Sequence, residues 1–223
     1  MKNQKRSLKF TFKALIVILL VSYFAAGKIQ SSFASNSNKE PNVIIRINSD
    51  GSITQYGSLF GQDLLYPSTV KDAERGIGGI TGIIRIENQY GNVNIDGIGI
   101  KIKEEELIIE NNYPKLDVYN SFLDNIKLKI EKGVLLFFDR TLADYASLRN
   151  FLYDLDDNNH RGLQLNPELS IGKGQAIDLK YTLHMVEEAG NELQAVTANM
   201  PIYINFRGSY DNGYDNDNKI GND

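Results

Sequence analysis

The chain contains no cysteine. That one absence removes a disulfide framework, a thiolate metal site and a thiol nucleophile together. Histidine is nearly as scarce, with only His160 and His184 present. A catalytic zinc usually takes three protein ligands, commonly two or more of them histidine. Neither residue lies in a His-Glu-x-x-His pattern, and no Gly-x-Ser-x-Gly marks a serine nucleophile. Long apolar runs are missing too. The run Ala14–Ala26 spans 13 residues, short of the roughly 20 that cross a bilayer.

That run has a different use. Lys2, Lys5, Arg6, Lys9 and Lys13 stand in front of it without an acidic residue among them, and Ser32 and Ala34 follow it. A basic front, a short apolar core and small residues at the cleavage point make a secretory signal. Residues 1–34 are therefore expected to be a signal peptide cut after Ala34, with a cut after Ala26 as the alternative. Its removal takes away six cations, Lys28 included, and no acid. The 24 basic residues become 18 against 28 acidic ones, and the net charge falls from −4 to −10. Such a surface disfavours nucleic acid and anionic lipid as partners. The expected location is outside the cell, with membrane contact only during export. The lack of disulfides leans towards a Gram-positive source.

Period-two alternation dominates the rest. Ile126, Leu128 and Ile130 oppose Lys127, Lys129 and Glu131; Ile177, Leu179, Tyr181, Leu183 and Met185 alternate with polar residues; so do Ala198, Met200, Ile202, Ile204 and Phe206. These are half-buried strands. Pro201 cannot donate to a ladder, so the last of them lies at an edge or enters its pairing late. Further strands are expected at Val43–Asn48, Thr81–Glu87, Val93–Lys103 and Val134–Phe138. In Val93–Lys103 the apolar phase switches at Gly97 and Gly99, which predicts a β-bulge. Many short strands with Gly, Asn and Asp turns indicate a sandwich. One short capping helix is expected over residues 141–155, capped by Thr141, with Leu148, Phe151, Leu152 and Leu155 as its apolar stripe. The domain is expected to fill residues 35–207. The acidic Gly/Asn/Asp tail 208–223 is expected to be disordered.

Candidate sites are few. His184 is expected to face solvent from an alternating strand. Asp157, Asn159, Gly162 and Glu168 fall at calcium-loop positions, but Arg161 stands where an oxygen ligand is needed and Pro167 blocks the exiting helix. That disfavours an EF-hand and leaves only weak Ca²⁺ binding by acidic segments. No cofactor is expected. Arg75-Gly-Ile-Gly-Gly-Ile-Thr-Gly lacks the Gly-Lys-Ser/Thr ending of a phosphate loop. Tyr203, Tyr210 and Tyr214 could stack on sugars.

One block is more telling. Leu165-Asn-Pro-Glu-Leu-Ser-Ile-Gly-Lys-Gly precedes the strand Ile177–Met185, and Glu188-Ala-Gly-Asn-Glu-Leu-Gln194 precedes the last strand. Upstream stand Leu65-Tyr66-Pro67 and Ile84-Arg-Ile-Glu-Asn88. In this order the chain resembles the TasA/camelysin family of exported Gram-positive biofilm-matrix and cell-surface proteins. It departs from the pattern in Ser68 after Pro67, in the start of the mature chain and in the ending at Arg207. The resemblance implies a jelly-roll sandwich, a structural role with self-association, other matrix or cell-wall partners, and fibres built by strand donation. Some members carry a metallopeptidase label, which makes a secreted metallopeptidase one alternative; a glycan-binding adhesin is another. No catalytic, cofactor or metal residue is expected. Gly190, Asn191 and Gln194 are expected to form a structural loop, with Asn191 suited to a left-handed turn and Gln194 bonding nearby backbone.

Overall fold

The computed structural model describes residues 40–61, 63–135, 138–153, 162–194 and 196–209, all within one compact unit. The expected signal peptide, the acidic stretch 154–161 with His160, and residues 210–223 of the tail lie outside the described residues.

The chain is mostly β. The strands are β1 (Val43–Ile47), β2 (Ile53–Gly57), β3 (Ile80–Asn88), β4 (Asn92–Ile100), β5 (Ile108–Ile109), β6 (Ile126–Leu135), β7 (Phe138–Ser147), β8 (Leu163–Ile171), β9 (Ala176–Met185), β10 (Val196–Thr197) and β11 (Ile202–Ser209). Helices are α1 (Val70–Ala73) and α2 (Lys115–Asn125). One sheet has the order β2-β1-β3-β9-β6-β7, a second the order β11-β4-β8, and β5 pairs with β10 in a small third. All these pairings are antiparallel except β1 with β3.

Alternation explains how the sheets face each other. Val43, Ile45 and Ile47 of β1 are fully buried, as are Ile86, Ile95, Ile130, Leu179 and Leu183. Burying such a side chain is worth about 1.5–3 kcal/mol. The opposite face of the large sheet is tied by cross-strand ion pairs: Arg85 forks onto Asp178 with two 2.8 Å hydrogen bonds, and Arg46 meets Glu87 at 2.8 Å. Both pairs lie directly across the ladder, where opposite charges help hold register.

Two of the passages between the sheets are short arches, from β3 to β4 and from β8 to β9. Asn88 joins them and is 1 % exposed. Its amide nitrogen donates to Gly91 O at 2.6 Å and Ile171 O at 3.0 Å, while its side-chain oxygen accepts from Tyr90 N at 3.0 Å.

The expected bulge is present. Register shifts between Ile95 and Gly97 against β8, and between Asn205 and Phe206 on β11 against β4. β11 is an edge strand, and Pro201 immediately precedes it.

The helix expected over 141–155 is not there. Residues 141–147 belong to β7, and a single 3-10 turn, Leu148–Phe151, follows. Leu148 and Phe151 are both fully buried. A spacing of three satisfies one 3-10 turn as well as an α-helical stripe. The longer helix among the described residues is α2, which buries Val118, Phe122 and Leu123. The strand expected at Val134–Phe138 is instead the passage from the end of β6 to the start of β7. β2 and β8 were not anticipated.

Candidate functional site

Two features stand out at the end of the sandwich where β3 begins and β9 ends. One is a cavity of about 710 Å³. Its floor is apolar, with Phe60, Phe122, Ile126, Met185 and Leu193. The Phe60 and Phe122 rings lie 6.3 Å apart at 42°.

The expected loop forms one rim. Gly190, Asn191 and Gln194 all line the cavity. Asn191 does not take a left-handed backbone: it opens a 3-10 turn, Asn191–Leu193, and Tyr145 is the one non-glycine residue with positive φ among those described. Gln194 donates to the Asn191 side chain at 2.9 Å rather than to backbone. The backbone is pinned by Asn111, far away in the sequence. Asn111 donates to Glu192 O at 2.8 Å and to Gln194 O at 2.9 Å.

Glu192 closes the other side of the loop. It accepts the Ser121 hydroxyl of α2 at 2.5 Å. That bond first, and the backbone N–H of its own residue next, holds the Glu192 carboxyl below the usual carboxylate range. A Cβ on residue 190 would meet the Glu192 carboxylate, the far end of a flexible side chain, which would have to shift. Asn111→Ala should therefore lower stability by about 1–2 kcal/mol. Gln194→Ala should stay within about 0.5 kcal/mol, as an exposed substitution. Thermal melts of the two variants side by side check this order.

The second feature is His184, which is 5 % exposed. The expectation of a solvent-facing histidine is overturned. Its face of the sheet is outward, but the segment Tyr66–Gly79, with α1, lies over it as a strap. His184 Nε2 is 2.6 Å from Ser68 O, and Ser68 N donates to Met185 O at 3.1 Å. Tyr66 N donates to Gly78 O at 2.9 Å and closes the strap on itself. His184 Nδ1 and Ser68 Oγ are buried without a protein partner.

Tyr145 completes the cover. Its φ of 45° is a strained conformation for a side chain of this size. Its ring meets His184 edge-on at 5.7 Å, and its hydroxyl donates to Glu74 at 3.2 Å. Lys129 lies 3.0 Å from Glu74 and 3.1 Å from Glu131. Burial opposes the Lys129 charge, yet the two carboxylates outweigh it and raise its pKa. Burial first, and then the Glu74 charge, push the Tyr145 phenol up to about 12.

The sign for stability follows. An unfolded tyrosine ionises near 10, whereas folded Tyr145 keeps its proton to about 12. The folded state then binds more protons across that window, so stability falls as pH rises through it. Urea midpoints at pH 9 and pH 11.5 should show the drop. Tyr145→Phe should flatten it in part, because burial also raises Tyr119 and Tyr181.

Other candidates are accounted for structurally. Glu168 lies on β8 and pairs with Arg207, and Gly162 has φ of 72°. Asp157 and Asn159 lie outside the described residues. Among the described residues no group of three or more His, Asp or Glu side chains is placed to hold a metal ion. Tyr203 stacks on Tyr153 at 5.2 Å, which occupies one ring face. Tyr210 and Tyr214 lie outside the described residues.

The fold and this end together define a β-sandwich with an apolar end cavity and a strapped histidine. No family model, curated protein or solved structure matches the chain.

Proposed function

We propose that the protein is an exported structural component of the cell surface or biofilm matrix, which self-associates through a strand edge. The observation that carries this is the outer edge of β2. It closes the six-stranded sheet, pairs only with β1 among the described strands, and leaves Ile53 37 % and Tyr56 55 % exposed. An uncovered edge with exposed apolar side chains is a template for another strand. The basic and apolar start of the chain supports export. The TasA/camelysin resemblance supports a matrix role and rests on its own residues.

Strand donation by β1 would first withdraw three fully buried side chains, whereas addition at β2 leaves the sandwich intact. Electron microscopy and light scattering of the purified protein test the proposal. Assembly is expected, and Ile53→Lys with Tyr56→Lys should abolish it while circular dichroism stays unchanged. A monomer at every concentration, or assembly indifferent to both lysines, overturns it. Hydrolysis of a peptide substrate that stops on chelation would replace it with the metallopeptidase reading.

A further inference from the structure

The rim residues Asn191 and Gln194 bond each other, and Glu192 is held by Ser121. The loop is thereby fixed in place, but the space in front of it is left open. A volume of about 710 Å³ lies within the roughly 300–1,000 Å³ typical of small-molecule sites, and an apolar lining with a few polar groups is their usual composition. The charge around it is one-sided. Among the described residues Asp63 is the one carboxylate of the lining, and no Lys, Arg or His accompanies it.

We infer that this cavity is a binding site for a small amphiphilic cation, with an aromatic or branched apolar body and an ammonium end. The apolar body fits the floor of Phe60, Phe122, Met185 and Leu193. The Met185 thioether and the two rings suit an aromatic body in particular. The ammonium end meets the exposed Asp63, and the same lining holds Tyr66, which is 55 % exposed and is an aromatic ring of the kind that attracts a cation. The Asp63 side chain makes no hydrogen bond or ion pair with another described residue, so its charge is available. That charge is felt behind the Phe60 wall: after burial, Asp63 is the other cause that raises the phenol of Tyr181, whose hydroxyl donates to Leu59 O at 2.7 Å. An anionic ligand of the same shape would meet Asp63 with no cation to offset it.

The test is a set of three probes sharing one apolar body: 4-phenylbutylamine, 4-phenylbutanol and 4-phenylbutyrate, titrated into the purified protein and followed by amide shifts in NMR. The amine should bind about three- to fivefold more tightly than the alcohol, the worth of one exposed ion pair. The carboxylate should bind more weakly still, and the preference should shrink at 0.5 M salt. Shifts should concentrate in residues 58–67 and 189–198. Asp63→Asn should bring amine and alcohol within twofold of each other. Ala198→Trp should fill the cavity and remove binding of all three. Thr197→Trp, at an exposed lining position, serves the same end should the first variant lose its fold. The inference is overturned by an amine preference that survives Asp63→Asn, by equal binding of amine and carboxylate, by shifts spread over the acidic surface, or by binding that survives a folded tryptophan variant.

Discussion

Deleting residues 35–48 is expected to abolish the fold: circular dichroism should lose the sheet signal, and light scattering should show aggregates. The deletion removes β1 from between β2 and β3. β2 then has no partner among the described strands, and the edge of β3 is bared. Val43, Ile45 and Ile47 go with it, each fully buried. At about 1.5–3 kcal/mol each, they represent roughly 5–9 kcal/mol, comparable to the whole stability of about 5–15 kcal/mol of a typical domain. A strand this near the start of the expected mature chain can either be donated to a neighbour or complete its own sheet. Its parallel pairing with β3 and antiparallel pairing with β2 place it inside its own sheet. A soluble truncated protein with a cooperative melt would contradict this account.

The second large effect is expected at Asn88. Asn88→Ala removes the buried donor of Gly91 O and Ile171 O, and the bond that the part-buried Tyr90 N makes to Asn88. An unsatisfied buried polar group costs about 1–3 kcal/mol, so a loss of roughly 3–5 kcal/mol is expected. For a protein of this size that is a fall in Tm of about 10 °C or more. Asn88→Asp separates hydrogen bonding from packing, because it keeps the shape and replaces a donor with an oxygen facing two carbonyls. At neutral pH it should be at least as damaging as alanine. The folded state would favour the protonated acid, so its stability should recover as pH falls towards 4 and be lost as pH rises. Denaturant midpoints at pH 4 and pH 7 check the sign. An Asp variant as stable as the parent at pH 7 would defeat the argument.

Legibility in the sequence followed burial. β1, β3, β6 and β9 alternate apolar residues, mostly isoleucine, leucine and valine, along much of their length, and these fill the inward face. The bulge at Ile95–Gly97 was legible because a phase change in the apolar pattern has few other physical causes. β2 was not legible, since none of its five residues is fully buried and so no face imposed a pattern. β8 was hidden by Asn166-Pro167 in its middle; an edge strand tolerates a proline that a central one would not. α2 buries only Val118, Phe122 and Leu123 and leaves Leu116 55 % exposed, so its stripe is narrow. Of the cavity, the Gly190–Gln194 rim was legible as a loop. Asn111, which lies 81 positions from Glu192, was not.

By itself the sequence determined the mostly-β class, the inward and outward faces of the central strands, and the bulge. These depend on residues two apart, whose alternation is built into the geometry of a strand. Only the tertiary structure decided what lies over an outward face. His184 points away from the sandwich core, as alternation requires. It is buried because a strap from residues 66–79 and a strained Tyr145 from β7 happen to meet above it. The cavity has the same origin: its walls come from the segments around residues 60, 122, 185 and 193, and no local pattern records that they converge.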